Sequence, residues 1–210
     1  MKKQDQIWND IFNKIPQKIP KTDDWLEKYM SILNSHKHNL IVDLGCGFGN
    51  DTYYLTEKGF KVLACDFSQK ALDRLGTFMK DPQVKLVDMR NPLPFNDESV
   101  GIIISDLSIH YFSEQTTKSI IKEIKRVLIK DGALICRVNS LQELKKNSKS
   151  HVVKKIEHNY YNVDNKLKRY FDKADVQRYF ADFKIEEVFT YIMPRYQFDK
   201  QVLDFICLKN

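Results

Sequence analysis

The chain has no apolar run near the ~18 residues that a membrane-spanning helix needs, although 42% of its 210 residues are apolar. Its first ten residues, MKKQDQIWND, have lysines followed by polar side chains where a signal peptide has an apolar stretch. The length and the apolar content suit one globular domain with a large core. We therefore expect a cytoplasmic protein with no membrane partner.

Cysteine is scarce and scattered. The four cysteines are Cys46, Cys65, Cys136 and Cys207, and no two of them form a Cys-x-x-Cys pair. Zinc and iron–sulfur sites need ligands at closer spacings, so the sequence predicts no metal site. Each cysteine lies in or beside a predicted strand, where a reduced thiol packs as a small apolar side chain.

Glycine is also scarce, with seven residues in the whole chain, but three of them fall within five positions: Gly45, Gly47 and Gly49. They follow residues 40–44, an apolar run interrupted only by Asp43. Such a run is short enough to be a central strand covered on both faces. The pattern indicates a buried strand that enters a glycine turn.

A glycine turn of this kind suits a ligand, because a backbone without Cβ atoms can be approached closely. The helix predicted from about Asn50 points its free N–H groups and its positive dipole end at whatever lies over the turn. Dinucleotide-binding folds use the spacing G-x-G-x-x-G, which would need a glycine where Asn50 stands. The alternative is a glycine turn that holds no ligand.

The middle of the chain alternates strand and helix patterns. The predicted strands are 40–44, 61–66, 84–88, 100–105 and 133–138. The predicted helices are 51–58, 69–79 and a long one capped by Ser113. Two further strands at 183–192 and 202–208 suggest a terminal hairpin. The pattern predicts an α/β fold with three layers, Rossmann-like, with a seven-stranded, mostly parallel sheet and one antiparallel C-terminal strand.

Two segments stand apart from this alternation. Residues 1–38 have the pattern of amphipathic helices and are expected to form a cap that packs on the sheet edge or closes over a ligand. Residues 39–210 are expected to form the main domain. Within them, residues 139–170 are expected to form a lid-like basic insertion. They have no clear period and hold eight basic and three acidic side chains, most of the chain's net charge of +6. This insertion is either a solvated surface or a site for an anionic substrate or nucleic acid.

Residues 43–49, Asp-Leu-Gly-Cys-Gly-Phe-Gly, resemble the first motif of the class I S-adenosylmethionine-dependent methyltransferases. The resemblance runs from about residue 40 to 139 and more loosely to the end. It includes the turn at 127–132, which departs from the usual L-K-P-G-G because Asp131 replaces the proline and Ala133 replaces the second glycine. Among subgroups, the chain looks most similar to small-molecule enzymes of the tellurite-resistance and thiopurine type.

Two acidic residues at strand ends fit an adenosine cofactor. Asp66 ends the second predicted strand, where a carboxylate can accept hydrogen bonds from both ribose hydroxyls. This fits NAD and S-adenosylmethionine alike, and a helix N-terminal acid favoured by the dipole is the alternative. In the family that the chain resembles, the acid at the position of Asp88 holds the adenine amino group and the next residue, here Met89, flanks the ring. An ordinary acid at the start of a loop is the alternative for Asp88.

The resemblance thus implies S-adenosylmethionine as the cofactor, S-adenosylhomocysteine as the product and no metal. It also implies that Phe67 forms an apolar wall beside the adenine and that the backbone near Ser105 faces the methionine amino group. The expected cofactor-binding residues are Asp43, Gly45, Cys46, Gly47, Gly49, Asn50, Asp66, Phe67, Asp88, Met89 and Ser105.

Methyl transfer from a sulfonium is an in-line displacement that depends mainly on positioning. If the acceptor is an amine or a hydroxyl, a general base helps, and Asp106 and His110 are the candidates because both follow the fourth strand. His110 is alternatively a packing residue. The expected acceptor-side residues, which alternatively have structural roles only, are Arg137, Asn139, Tyr170 and Arg195.

Three hypotheses about function follow. The first is methyl transfer to a small molecule through an S, N, O, Se or Te nucleophile. The second is an RNA or protein methyltransferase that uses the basic 139–170 segment. The Asn-Pro-Pro-aromatic motif and the Pro-Cys nucleophile of nucleic-acid methyltransferases are absent, so a nucleic-acid partner is the less favoured expectation. The third is a nicotinamide-binding or non-enzymatic adenosine-binding protein. The sequence does not indicate an oligomeric state.

Overall fold

The computed structural model describes residues 4–14, 19–148, 151–195 and 199–210. Parts of the predicted N-terminal cap, at 1–3 and 15–18, and Lys149 of the basic segment lie outside the described residues. Within the described residues, the chain forms seven α-helices and ten strands. None of these helices is long and apolar enough to cross a membrane.

The helices and strands follow one another as the alternating pattern predicts. The helices are α1 (Gln4–Lys14), α2 (Met30–Ser35), α3 (Asn50–Glu57), α4 (Gln69–Leu75), α5 (Glu114–Val127), α6 (Leu141–Asn147) and α7 (Lys173–Tyr179). The strands are β1 (Ile41–Leu44), β2 (Val62–Asp66), β3 (Gln83–Leu86), β4 (Val100–Asp106), β5 (Leu128–Asn139), β6 (Val153–Glu157), β7 (Tyr160–Val163), β8 (Lys166–Arg169), β9 (Lys184–Met193) and β10 (Lys200–Leu208).

Seven strands form one sheet in the order β3-β2-β1-β4-β5-β10-β9. The pairs from β3 to β5 are parallel, whereas β10 runs antiparallel to both of its neighbours. The predicted fold is confirmed, including the single antiparallel strand near the C-terminus. The carboxyl ends of β1, β2 and β4 therefore lie side by side at one edge of the sheet, which is where open α/β sheets bind ligands.

Both faces of the sheet are covered. On β4, Ile103 points into the core that contains α5 and α7, while Ile102 and Ile104 point into the core that contains α2 and α3. Successive side chains of a strand point to opposite faces of the sheet. Because both faces of β4 are buried, its sequence is a continuous apolar run. All four cysteines are buried thiols without disulfides, as the sequence analysis predicts.

Side chains or a glycine cap several helix ends, and Ser113 does so as predicted. The Ser113 hydroxyl accepts a hydrogen bond from the backbone N–H of Thr116 at the start of α5. Asp172 and Asp175 form a reciprocal capping box at the start of α7. Gly59 adopts a left-handed conformation, with φ of +81°, just after α3. These local signals end and begin the helices close to the predicted positions.

Some predicted boundaries differ from the structure. The third strand ends at Leu86, so Asp88 lies in the loop after β3 and not at the strand end. The predicted turn at Asp131 lies inside β5, where a left-handed residue, with φ of +61°, accompanies a register shift against β4. The helix predicted over 69–79 ends at Leu75, because its C-cap is Gly76 and the residues after it form turns.

The segment 139–170, in which the sequence shows no clear period, has regular secondary structure. It contains α6 and a three-stranded antiparallel sheet in the order β6-β7-β8. This small sheet attaches to the turn after β4, since the Tyr160 hydroxyl donates to the Tyr111 carbonyl at 3.2 Å and the Arg169 guanidinium donates to the Phe112 carbonyl at 3.3 Å. The short strands alternate charged and apolar residues too briefly to stand out from a polar segment.

Candidate active site

The glycine turn between β1 and α3 forms the floor of a cleft at the carboxyl edge of the sheet. Gly45, Gly47 and Gly49 all have left-handed φ values, at +84°, +51° and +76°. A Cβ atom on Gly45 would lie 2.4 Å from the Cβ of Ser108, so that position is closed to any other residue. At Gly47 the nearest neighbours of such an atom lie 3.9 Å away, and two of them belong to the ring of Phe12. The turn is therefore packed against β4 at Gly45 and open towards the cleft at Gly47.

Asp66, at the end of β2, is tied to the glycine turn. Its carboxylate accepts hydrogen bonds from the backbone N–H groups of Gly47 at 3.0 Å and Ser68 at 2.9 Å. Burial raises the pKa of Asp66, and these backbone donors counteract the rise. The carboxylate also lines the cleft and retains acceptor capacity. This arrangement fits the predicted role of a carboxylate that receives ribose hydroxyls.

Two further carboxylates lie deep in the cleft beside α3. Asp43 accepts hydrogen bonds from the backbone and the hydroxyl of Thr52, at 3.1 and 2.6 Å. Asp51 accepts one from the indole N–H of Trp25 at 2.9 Å. Burial, together with neighbouring carboxylates, raises the pKa of Asp43 well above its ordinary value and raises that of Asp51 to about 7. Both groups line the cleft, so a cation bound there would favour their ionised forms.

A buried ion network closes this end of the cleft. Arg137 donates two hydrogen bonds to Asp106, at 2.6 and 2.8 Å, and one to Asp23 at 2.6 Å. Arg195 reaches the same two acids, each at 2.5 Å, and Asp51 at 3.2 Å. The network therefore joins β4, β5, the loop after β9 and the segment before α2. Three carboxylates face two guanidinium groups.

The ion network keeps Asp106 ionised. Burial alone would raise the pKa of Asp106, but the charges of Arg137 and Arg195 outweigh it and hold the pKa well below its usual range. A carboxylate that is so strongly stabilised in its ionised form is a weak proton acceptor at neutral pH. The prediction that Asp106 acts as a general base does not fit this geometry.

The opposite end of the cleft fits an adenine ring only in part. Phe67, Asp88 and Met89 line it, as predicted. However, Arg90 already holds the Asp88 carboxylate, with distances of 2.6 to 3.0 Å. These contacts lower the pKa of Asp88. An adenine amino group at this carboxylate would have to share it with Arg90.

Helix α1 covers the cleft. Trp8 and Phe12 line it, with the Trp8 ring 5.1 Å from the Tyr111 ring and the Phe12 ring 5.1 Å from the Phe48 ring, both edge-on. At the rim, the Ser68 hydroxyl donates to the Asn9 side chain at 2.7 Å. The cleft has a volume of about 140 Å³, below the ~300 Å³ of ordinary small-molecule sites. A cofactor-sized ligand therefore needs α1 or its side chains to move.

Most of the predicted site residues lie together in this cleft. Those that line it are Asp43, Gly45, Cys46, Gly47, Asn50, Asp66, Phe67, Asp88, Met89, Asp106 and Arg195. Gly49 and Ser105 are not among the lining residues. The Ser105 hydroxyl instead lies 2.7 Å from that of Ser108, which does line the cleft and donates to the Leu44 carbonyl at 2.7 Å.

Four other predicted residues also lie outside the cleft lining: His110, Arg137, Asn139 and Tyr170. Arg137 is fully buried in the ion network. His110, Asn139 and Tyr170 are buried on the far side of the turn after β4, where Tyr170 stacks edge-on against Tyr161 with 6.0 Å between the rings. The structure thus separates the predicted acceptor-side residues into two groups.

Sequence reasoning missed several lining residues. These are Trp8, Phe12, Phe48, Asp51, Val87, Arg90, Leu107, Ser108, Tyr111 and Phe112. The apolar pattern of the first helix indicated a cap but not that its aromatic side chains reach the glycine turn. Nothing in the sequence pointed to Asp23, whose carboxylate accepts hydrogen bonds from Arg137 and Arg195. Both arginines are more than 100 positions away, so only the fold brings them together.

Comparison with known proteins agrees with this geometry. Residues 42–136 match a family described as a methyltransferase domain. An uncharacterized methyltransferase of Synechocystis is 32% identical over 100 residues, which are 47% of this chain and 46% of that protein. A tRNA N(3)-cytidine methyltransferase of Gallus gallus is 26% identical over 137 residues, 58% of this chain and 34% of that protein. The chain thus spans less than half the length of these relatives.

One solved structure shows the same fold over nearly the whole chain. It is a 1,6-didemethyltoxoflavin-N1-methyltransferase of Burkholderia thailandensis with bound 1,6-didemethyltoxoflavin and S-adenosylhomocysteine. The TM-score is 0.64 at 15% identity, over 98% of this chain and 83% of that one. At this identity the likeness bears on the fold alone.

Proposed function

We propose that this chain is a class I S-adenosylmethionine-dependent methyltransferase, as its match to a methyltransferase domain over residues 42–136 supports, and that it methylates a small-molecule acceptor. The observation that carries the assignment of the cofactor is the acidic lining of the cleft. Its lining has five acidic side chains, Asp43, Asp51, Asp66, Asp88 and Asp106, against two arginines. Such a lining favours a ligand with positive charge over one with phosphates. S-adenosylmethionine carries a sulfonium and an ammonium, whereas NAD carries a pyrophosphate.

The proposed cofactor contacts follow from this lining. When bound, S-adenosylmethionine supplies a methyl group that its positive sulfur has already activated. Asp66 would receive the ribose hydroxyls, while Asp43 and Asp51 would face the positive end of the cofactor. Phe67 and Met89 would flank the adenine ring. The chain's own contribution to the reaction is then to position the acceptor in line and to exclude water.

Proton transfer is a smaller part of this proposal. Asp106 would act by holding Arg137 and Arg195 in place and not as a base. His110, the other predicted base, lies outside the cleft lining and is not used as a base in this proposal. Burial and the charges of Lys200 and Lys168 lower its pKa well below the ordinary value, so the imidazole is neutral at physiological pH. For a thiol or a selenium or tellurium acceptor no base is needed.

We also propose a role for each of three segments of the chain. Residues 39–210 would be the methyltransferase domain, residues 1–38 a cap and residues 139–170 a basic insertion at the acceptor side. The aromatic contacts of Trp8 and Phe12 with the main domain support closure of α1 over the bound cofactor. The proposed location of the protein is the cytoplasm.

A small acceptor is favoured because the aromatic side chains of Trp8 and Phe12 cover the cleft. The resemblance to tellurite-resistance and thiopurine-type enzymes stays a prediction. RNA is the second candidate, because a relative is a tRNA methyltransferase and Lys154, Lys155 and Lys166 are exposed on the small sheet. If RNA is the acceptor, binding of bulk tRNA weakens steeply with salt, and replacing these three lysines by glutamine reduces both the affinity and the salt slope. If a small molecule is the acceptor, the triple variant keeps full activity.

The first test is thermal unfolding with S-adenosylmethionine, S-adenosylhomocysteine, NAD or no addition. A ligand that binds only the folded protein raises its midpoint. We expect upward shifts with the first two ligands and none with NAD. The Asp66→Asn variant should lose these shifts, whereas Asp73→Asn, an exposed change on the neighbouring α4, should keep them. A shift with NAD alone would refute the proposal.

A further inference from the structure

Near the turn that follows β4, His110, Lys168 and Lys200 lie close enough for their charges to interact, and Asn139 lies in the same region of the fold. His110 lies in the short helical turn Ile109–Tyr111, Asn139 ends β5, Lys168 lies in β8 and Lys200 begins β10. Backbone pairing places Asn139 close to the chain segments that follow Lys168 and Lys200. After β8, the backbone N–H of Phe171 donates to the Asn139 carbonyl at 2.9 Å, and β10 pairs with β5 so that Val202 faces Asn139. We call these four residues the lysine cluster.

Two members of the lysine cluster have unsatisfied polar atoms. His110 is fully buried, yet neither ring nitrogen has a hydrogen-bond partner among the described residues. The same holds, among those residues, for the side-chain oxygen of Asn139, which is 1% exposed. An unpaired buried polar group destabilises the folded state, so folded proteins rarely leave several of them together. Their presence at one place indicates a site for a polar ligand.

The lysine cluster also carries excess positive charge. Burial and the charge of Lys168 lower the pKa of Lys200 to about 8, and burial and Lys166 lower that of Lys168. Glu143 is the nearby acid common to both lysines, and its carboxylate already accepts the backbone N–H of Gln201 at 2.8 Å. The charge of Asp106 also raises the pKa of His110 and of Lys200, but this carboxylate is already paired with two arginines. A bound anion would offset the mutual repulsion of the lysines.

The lysine cluster lies next to the proposed active site. Leu107 lines the cleft and also packs, on its other side, against Met193 and Val202. Val202 is two residues from Lys200, and Leu107 is three residues from His110. Leu107 itself has a left-handed backbone, with φ of +52°, a conformation that is unfavourable for a residue with a β-carbon. The strained turn therefore forms the wall between the cleft and the cluster.

We propose that the lysine cluster binds an oxyanion group, a carboxylate or a phosphate, of the methyl acceptor. This inference rests on the proposed function and names the class of its substrate. Lys168 and Lys200 supply the positive charge, His110 donates from one ring nitrogen and the amide of Asn139 turns to donate its N–H group. The remainder of the acceptor extends past Leu107 towards the cleft, where its nucleophile meets the methyl group.

The test uses the full chain saturated with S-adenosylhomocysteine and titrated with inorganic phosphate or with acetate. Binding is followed by the NMR resonances of the His110 ring and by the unfolding midpoint. We expect saturable shifts of the His110 resonances with at least one of the two anions. The anion that binds more tightly distinguishes a phosphate from a carboxylate acceptor.

Variants separate the lysine cluster from general surface charge. Lys168→Gln and Lys200→Gln should each weaken anion binding by about tenfold, the effect of ~1.4 kcal/mol, without changing the affinity for S-adenosylhomocysteine. Lys154→Gln, on the exposed face of β6 in the same small sheet, should change neither. If Lys200→Gln does not fold, Lys200→Arg should fold and keep binding. Equal weakening in Lys154→Gln, or unmoved His110 resonances, would overturn the inference.

The same experiment distinguishes failure of the proposed function from failure of the inference about the acceptor. If the wild-type chain does not bind S-adenosylhomocysteine, the proposed function fails. If it binds S-adenosylhomocysteine and neither anion moves the His110 resonances, only the inference about the acceptor fails.

Discussion

Arg137 and Asp106 face each other across paired strands β5 and β4, and the guanidinium of the first binds both carboxylate oxygens of the second, at 2.6 and 2.8 Å. Both side chains are buried, at 0% and 7% exposure. The pair is completed by Arg195 and Asp23, which come from opposite ends of the chain. The wall of the cleft thus depends on contacts between four distant segments.

Replacing Asp106 by asparagine should destabilise the fold. The change leaves two buried guanidinium groups without their shared carboxylate, and breaking a buried ion pair in this way costs ~3–5 kcal/mol. Chemical denaturation should show a loss of that order. Asp97→Asn, which removes the exposed partner of Arg126, should cost no more than ~1 kcal/mol. If Asp106→Asn slowed methyl transfer with unchanged stability, Asp106 would be a catalytic base after all.

Replacing Gly45 by alanine should be far more harmful than the same change at Gly59. Both residues have nearly equal left-handed φ values, +84° and +81°, so both variants carry a backbone strain of ~1–2 kcal/mol. Only at Gly45 does the new methyl group collide, at 2.4 Å from Ser108. We expect Gly59→Ala to keep cofactor binding and Gly45→Ala to lose it. Equal losses of stability in both variants would mean that contact with Ser108 is unimportant.

The raised pKa of Asp51 should make stability depend on pH. Its folded-state pKa is about 7, against ~4 in an unfolded chain. Between these values the folded protein holds a proton that the unfolded chain has released, so the contribution of Asp51 to stability falls as the pH rises from about 4 to 7. Asparagine mimics the protonated acid. The unfolding midpoint of Asp51→Asn should therefore fall less than that of the wild type between these pH values.

The charged groups that act on Asp51 are Asp43, Asp106, Arg137 and Arg195. Because these remain in Asp51→Asn, the difference from the wild type reports on Asp51. The exposed Asp73→Asn serves as the control and should keep the wild-type slope. Identical slopes in Asp51→Asn and the wild type would show that Asp51 titrates near its ordinary value.

Replacing Trp8 by alanine should weaken cofactor binding while leaving the main domain stable. The Trp8 ring covers the cleft through its edge-on contact with Tyr111, and such aromatic contacts contribute ~0.5–1.5 kcal/mol. Isothermal titration with S-adenosylhomocysteine should show an affinity about fivefold lower. Ile11→Ala, on the same helix but outside the cleft lining, is the control. Equal effects of the two changes would indicate that α1 only packs and does not act as a lid.

Periodicity in the sequence determined most of the fold. The apolar runs that became β1, β2, β4 and β5 are strong signals because central parallel strands are buried on both faces. The glycine turn and the acid at the end of β2 were also predictable, since a turn and a strand end are local features. These local features indicated the family resemblance, and together with it they indicated about half of the residues that line the cleft.

The tertiary structure decided the rest. No local pattern links Asp23 to Arg137 or Arg195, and ion pairs between distant segments exist only after the sheet has formed. The same is true of the lysine cluster, in which Lys168 and Lys200 look like ordinary surface residues until folding half-buries them and brings their charges near His110. A sequence shows which residues carry charge, but burial and neighbours determine what that charge does.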